Sequence, residues 1–242
     1  MNRLDDVLGY DNLKIFQNSN YFSFSLDSII LANYTTIRLR DKKIVDFCTG
    51  NGVVPLILSR RCNQNIIGVE IQEKLASLAK ESVEYNHLEN RIDIVCEDIK
   101  EFSKKHLNEF DLILCNPPFF KVEENSSLND SYEKMIARHE VMITLEDICD
   151  CAKKILKDNG HISIVHRSDR LMDILFLLRK YGLEPKRIMF VHETIKKEST
   201  LLLIEAQKCG KVGLKIEKPF IQYDLDGNMT PEYDKLQKEV AK

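Results

Sequence analysis

Between Ile44 and Glu205 the chain alternates short β-branched apolar runs with longer stretches of helical period, and this alternation limits the folds open to it more than any other feature. The strands read as Ile44 to Cys48, Ile66 to Ile71, Ile92 to Cys96, Asp111 to Cys115, His161 to His166, Ile188 to His192 and Thr200 to Ala206. Between them the spacing predicts helices over Val53 to Arg61, Glu73 to Asn86, Leu145 to Lys157 and Ser168 to Tyr181. In the second of these, Leu75, Leu78, Ala79, Ser82 and Val83 fall at i, i+3, i+4 spacing and share one face. Strands that alternate with helices in this way signal parallel βαβ units. The runs Ile44-Val45 and Leu112-Ile113-Leu114-Cys115 lack polar alternation, as strands covered by helices on both faces do. The expected fold is α/β, a doubly wound, mostly parallel seven-stranded sheet.

The last two strands differ. Only Glu193 to Ser199 separates them, a polar connection too short for a crossover helix, which predicts a C-terminal antiparallel hairpin at the edge of the sheet. Asp158-Asn159-Gly160 should end the helix before it, while Ser168 should cap the next helix and Gly182 end it. Residues 1–40 precede the first sheet strand as a separate N-terminal element. Residues 41–242 read as one globular unit, with an irregular tail over 211–242 punctuated by Pro219, Gly227 and Pro231. A chain of 242 residues, 43% hydrophobic and 30% charged, can bury a core without staples. Its seven cysteines form no C-x-x-C pair, which argues against structural zinc or a disulfide framework and for a reducing compartment. No stretch approaches the roughly 20 apolar residues of a membrane span, and the first residues carry no apolar signal core. A cytoplasmic protein is expected.

The segment Asp46-Phe47-Cys48-Thr49-Gly50-Asn51-Gly52 joins the first strand to a helix start. Gly50 and Gly52 permit a tight turn and close backbone approach to a ligand at the carboxyl end of the strand, where open α/β sheets bind ligands. A dinucleotide fingerprint would need a third small residue where Pro55 stands, so a nicotinamide reading is disfavoured. Glu70 lies eighteen residues beyond Gly52 at the end of the second strand, near the offset at which a carboxylate takes ribose hydroxyls. Asp98 follows the third strand, placed to accept from an adenine amino group. A plain turn and two solvated loop acids are the alternative, and three consecutive strand ends bearing Gly/Gly, Glu and Asp weigh against it.

Asn116-Pro117-Pro118-Phe119 ends the fourth strand. Two successive prolines stiffen the loop and remove two donors, and the Asn116 side chain adds an acceptor oxygen. Such a loop suits an NH₂ group: one hydrogen goes to the Asn116 oxygen, the other to the Pro117 carbonyl. Phe119 supplies a face for stacking a planar group, worth roughly 1–3 kcal/mol for a nucleobase.

In this order on successive strands, the glycine turn, Glu70, Asp98 and Asn116-Pro117-Pro118-Phe119 resemble the S-adenosylmethionine-dependent amino-methyltransferases with an N-P-P-[YF] loop, a class I methyltransferase, Rossmann-like group. Gln17 to Ala32, with its Phe24-Ser25-Leu26-Asp27-Ser28 core, Ala137-Arg138-His139-Glu140 and Leu201 to Ala206 resemble the bacterial tRNA1(Val) (adenine-N6)-methyltransferase family, essentially end to end. Cys48 departs from that pattern, standing where many relatives have glycine, so its Cβ and sulfur should crowd the turn. Read from the residues alone, Ser25 is also a serviceable helix N-cap.

The resemblance implies methylation of adenosine N6 in a tRNA anticodon loop, with S-adenosylmethionine as cofactor and no metal, because the sulfonium carries its own activation. It implies a cofactor site of Asp46, Thr49, Gly50, Gly52, Glu70, Ile71, Asp98 and Asn116, with Asn116, Pro117, Pro118 and Phe119 at the reacting amine. Residues 1–40 would then pack over the cofactor pocket, making Asp27 and Ser28 contact candidates. Phe120, Arg138, His139, Arg167 and Arg170 are weaker candidates for the RNA. The segment Lys121 to Ala137, polar and without a period, is expected to order on substrate binding.

The formal net charge of −3 speaks against tight non-specific nucleic-acid binding, but between Lys153 and Lys197 eleven Lys or Arg face five acids. That basic segment fits a salt-sensitive grip on a tRNA partner by a monomer or weak homodimer, with no membrane involved. An N5-glutamine methyltransferase acting on a protein such as a release factor shares the loop, since a carboxamide also presents an NH₂, as do rRNA and DNA amino-methyltransferases. The release-factor enzymes carry a longer N-terminal helical domain than the roughly 40 residues before the first strand here. A non-catalytic cofactor-binding module would have no use for Asn116.

Overall fold

In the computed structural model, which describes residues 2–10, 12–18, 24–118 and 143–238, the alternation becomes a large sheet with helices on both faces. An antiparallel hairpin of β1 (Asn2–Asp6) and β2 (Lys14–Asn18) precedes helix α1 (Leu26–Tyr34). Then follow β3 (Lys43–Phe47), α2 (Val53–Arg61), β4 (Asn65–Glu70), α3 (Glu73–Tyr85), β5 (Ile92–Cys96), α4 (Ile99–Lys105) and β6 (Phe110–Cys115). After the next described residues come α5 (Leu145–Ile155), β7 (Leu156–Arg167), α6 (Leu171–Lys180), β8 (Leu183–His192) and β9 (Leu201–Lys208). Two short strands, β10 (Lys215–Ile216) and β11 (Phe220–Ile221), and helix α7 (Pro231–Lys238) complete the described chain.

The sheet order is β10-β8-β9-β7-β6-β3-β4-β5, with β11 also on β8. Strands β3 to β7 are mutually parallel. Because a strand turns alternate side chains to opposite faces, the unbroken apolar runs feed two cores. Ile44, Leu112 and Leu114 pack with α1, α2 and α3, while Val45, Phe47, Ile113 and Cys115 pack with α4, α5 and α6. Each such side chain removed from water contributes about 1.5–3 kcal/mol, which is why register is firmly specified.

Four local expectations change. First, α5 stops at Ile155: Leu156 is already extended and pairs with Phe110, so Asp158-Asn159-Gly160 forms a bulge inside β7. Asn159 takes φ +63, and a Cβ on Gly160 would lie 2.9 Å from the Lys157 carbonyl oxygen, so the Asn-Gly pair bends a strand here instead of ending a helix. Second, Ser168 caps no helix. Its hydroxyl donates to the Ser199 carbonyl, and a single 3₁₀ turn over Ser168–Arg170 leads into α6. Third, β8 and β9 form the expected antiparallel pair, but β9 inserts between β7 and β8 and is antiparallel to both. Fourth, the stretch after residue 211 is not wholly irregular, since β10 and β11 run parallel to β8 and cover its outer edge.

The N-terminal hairpin is tied to α3. Ser82 Oγ accepts the Phe16 N–H at 2.9 Å and Asn86 Oδ1 accepts the Lys14 N–H at 3.0 Å, so helix side chains satisfy the free edge of β2. Ile15, Leu13 and Tyr10 enter the same core as α1 and α2.

Candidate active site

Strand order reverses at β3: the chain leaves it toward β4 and β5 on one side and returns to β6 and β7 on the other. Such a switch point opens a crevice over the carboxyl ends of the strands. A cavity of about 320 Å³ lies there, lined by the loops after β3, β4, β5 and β6 and by the start of α1.

Cys48-Thr49-Gly50-Asn51 forms one wall. Gly50 and Gly52 take φ +58 and +87. A Cβ on Gly50 would meet nothing within 4 Å, which leaves its backbone open to a ligand, whereas one on Gly52 would lie 3.1 Å from Ala79 Cβ, so that glycine serves helix packing. Cys48 adopts φ +57, a glycine conformation, and its side chain turns into the second core beside Cys115 instead of crowding the turn. Thr49 Oγ1 donates to Asp46 Oδ2 at 2.5 Å and holds the turn from behind. Asp46 is buried, its Oδ1 without a partner among the described residues, and burial, reinforced by nearby Glu70, pushes its carboxyl up to about 8.

Glu70 is also buried. Its Oε2 accepts the Gly50 N–H at 2.8 Å and its Oε1 the Gln72 N–H at 3.0 Å. Burial raises its pKa and these backbone donors oppose the rise. The carboxylate therefore braces the glycine turn while keeping lone pairs for hydroxyl donors. Asp98 caps α4, accepting the Lys100 N–H at 2.7 Å through Oδ1. Its Oδ2 lies 3.6 Å from the Lys100 ammonium, and Asp98 lines the cavity together with the apolar Ile71, Leu75 and Ile99.

Asn116, Pro117 and Pro118 close the opposite wall. Asn116 Nδ2 donates to Ser28 Oγ at 2.7 Å, so the N-terminal element touches the acceptor loop directly. Ser25 holds the N-cap position of α1 but makes no side-chain capping bond, and its Oγ lies buried at the cavity. Asp27 lines the cavity too, its carboxyl pushed up by burial.

Of the expected cofactor residues, Thr49, Gly50, Glu70, Ile71, Asp98 and Asn116 line this one cavity, with Pro117 and Pro118; Asp46 and Gly52 stand behind it. Phe119, Phe120, Arg138 and His139, and the segment Lys121 to Ala137, lie outside the described residues. Arg167 is the last residue of β7 and Arg170 ends the 3₁₀ turn that follows, paired with Asp169 and Asp173 respectively at 2.7 Å each. Asn51, Gln72, Leu75 and Ile143 also line the cavity. No sequence signal marked them, since Leu75 reads as an ordinary core position of α3.

The chain matches the methyltransferase small domain over residues 13–181, more than half its length. The chain belongs to this methyltransferase family. It is 31% identical over 243 residues to a protein of Porphyromonas gingivalis strain W83 named tRNA1(Val) (adenine(37)-N6)-methyltransferase, covering 96% of this chain and 93% of the relative. A Bacteroides fragilis protein of the same name is 28% identical over 213 residues, covering 80% of this chain and 88% of the relative. Among solved structures, an Agrobacterium tumefaciens protein described as a predicted O-methyltransferase superposes with a TM-score of 0.68 at 19% identity, covering 87% of this chain and 95% of that one. Geranyl diphosphate C-methyltransferase of Streptomyces coelicolor, solved with S-adenosyl-L-homocysteine, gives 0.56 at 11% identity over 76% and 80%. These share the fold.

The methyltransferase uses S-adenosylmethionine, and the cavity fits that group. The open backbone at Gly50 admits close approach, the Glu70 carboxylate can take hydroxyl donors, and the apolar side chains of Ile71, Leu75 and Ile99 in the lining suit a purine. Among the described residues no helix is long and apolar enough to cross a membrane.

Proposed function

We propose that this methyltransferase transfers a methyl group to N6 of an adenosine in tRNA, in the anticodon loop of a tRNA1(Val)-type substrate. The observation that carries the reading is the Asn116 amide. Its nitrogen is committed to Ser28, which leaves Oδ1 as an acceptor on the wall of the cavity. The names of the relatives supply the substrate class.

S-adenosylmethionine supplies a methyl carbon made electrophilic by its sulfonium sulfur. Asn116 Oδ1 and the Pro117 carbonyl would accept the two amino hydrogens of adenine, drawing the nitrogen lone pair out of conjugation and aiming it into the cavity. The methyl carbon–sulfur bond would break as the carbon–nitrogen bond forms, leaving a neutral thioether, and the alkylated amine, now acidic, would lose its proton to solvent, so a dedicated base is unnecessary. The adenosine must leave its stack to enter the cavity, which costs little in a single-stranded loop. Residues 1–40 cover the cofactor in this reading, supported by Phe24, Ser25, Asp27 and Ser28 in the cavity lining.

The grip on RNA should be modest. Within the basic stretch Lys153 to Lys197, Lys154, Lys157, Lys180 and Arg187 pair with Asp150, Asp111, Glu146, Glu205 and Glu217, acids that lie outside the stretch. Its local field is therefore weaker than its formal charge. The reading implies a cytoplasmic protein that acts as a monomer or weak homodimer.

Incubation with labelled S-adenosylmethionine and, separately, unmodified total tRNA, rRNA and protein, followed by digestion, tests the proposal. Label in N6-methyladenosine from tRNA is expected. Label only in protein glutamine overturns it.

A further inference from the structure

An asparagine amide has two chemically opposite ends, and only one suits the acceptor loop. With the oxygen facing the cavity, Asn116 accepts from an incoming NH₂ group. Rotated by half a turn about its last torsion, it presents its own NH₂ to that group, and two donors face each other. The torsion is intrinsically soft, because sp³–sp² rotors have broad, nearly two-fold profiles. The useful orientation is chosen by whatever acceptor holds the amide nitrogen away from the substrate.

The group in position to choose is Ser28. Its Oγ lies 2.7 Å from Asn116 Nδ2, across 88 residues of sequence, at the start of α1. Ser28 is 5% exposed, so water does not compete well for that contact. Its backbone is fixed by the helix start, with the Ser28 N–H donating to the Ser25 carbonyl at 3.2 Å. A serine hydroxyl carries two lone pairs, and here Oγ is the acceptor of the Asn116 amide hydrogen. Both residues line the same cavity.

We infer that Ser28 is a positioning residue for methyl transfer: it accepts the Asn116 amide hydrogen and so locks Oδ1 toward the substrate amine. The inference rests on the acceptor role proposed for Asn116. It gives the N-terminal element a part in the chemistry beyond covering the cofactor, because displacing α1 would release the Asn116 rotor. Ser28 itself touches no reacting atom in this scheme.

A double-mutant cycle separates this role from a merely structural one. Single-turnover methyl transfer, cofactor Kd and thermal midpoint are measured for wild type, Ser28→Ala, Ser28→Thr, Asn116→Ala and the Ser28→Ala/Asn116→Ala pair, using whichever RNA or protein fraction wild type methylates. Loss of one oriented hydrogen bond should slow Ser28→Ala about ten-fold while cofactor Kd stays within about two-fold, and Ser28→Thr, which keeps the hydroxyl, should recover to within about three-fold of wild type. In the Asn116→Ala background, Ser28→Ala should change the residual rate less than about two-fold, because its effect runs through an amide no longer present. A wild-type rate for Ser28→Ala, or an undiminished loss in the Asn116→Ala background, overturns the inference and leaves the acceptor reading intact. A wild-type rate for Asn116→Ala overturns both.

Discussion

Arg187 donates to the buried carboxylate of Glu205 at 2.9 Å while its guanidinium lies 4.4 Å from the centre of the Tyr34 ring. The same side chain bonds both oxygens of Glu217 at 3.0 Å, and Glu205 Oε1 also accepts the Thr36 N–H at 2.6 Å. One arginine thus joins β8, β9, the end of α1 and the segment after β10. Replacing it leaves Glu205, 3% exposed, without its counter-charge. Arg187→Met should lower the free energy of unfolding by roughly 3–5 kcal/mol, and adding Glu205→Gln should recover much of that loss. Denaturant titration of the two variants checks both.

Asp46 gives a pH signature. Its carboxyl ionises near 3.8 when unfolded, yet burial raises it to about 8 in the fold. Between those values the folded state holds a proton that the unfolded state has lost, so this group's contribution to stability falls as pH rises and levels off above about pH 8. Asp46→Asn cannot ionise. The variant should therefore gain on wild type by up to about 1.4 kcal/mol per pH unit between pH 4 and 8, measured by denaturant unfolding without cofactor. A gap that does not change with pH would show the carboxyl already ionised in the fold.

Cys48 holds a left-handed backbone that costs a side-chain-bearing residue about 1–2 kcal/mol. Cys48→Gly removes that cost but adds unfolded-state entropy, so a gain of between zero and about 1 kcal/mol is expected, with cofactor affinity retained. Calorimetry of the two proteins decides it, and a loss above about 1 kcal/mol would mean that the thiol's packing outweighs the backbone strain.

Glu70→Ala should weaken S-adenosylmethionine binding roughly ten- to a hundred-fold, since it deletes charged acceptors and strands the Gly50 and Gln72 N–H groups. Glu70→Gln keeps one acceptor and should lie between. Isothermal titration with the cofactor gives the order.

How far the sequence could be followed depended on whether a feature was local. The apolar runs around Ile44 and Leu112 declared parallel strands because burial on both faces leaves no room for polar alternation, and the strand ends carrying Gly50, Glu70, Asp98 and Asn116 did converge on one crevice. Asn159-Gly160 misled because the same left-handed propensity ends a helix or bends a strand, and only pairing with Phe110 decides between them. Asp98 read as a ligand residue from its place after a strand, and the structure shows it as the cap of α4, a role that only the following helix reveals. The contact between Ser28 and Asn116 was invisible, since nothing local links positions so far apart. The place of β9 between β7 and β8 was hidden for the same reason.

That last arrangement bears on how the protein is made. Strand β9, the last long strand in the described chain, fills a slot between two strands synthesised before it. While residues 201–208 are still within the ribosome, the twelve-residue β7 presents a bare edge to solvent, and β8 has no neighbour that would join it to the sheet. Such an edge pairs readily with any exposed strand, so the nascent chain should pass through an aggregation-prone interval that closes only when β9 emerges and inserts.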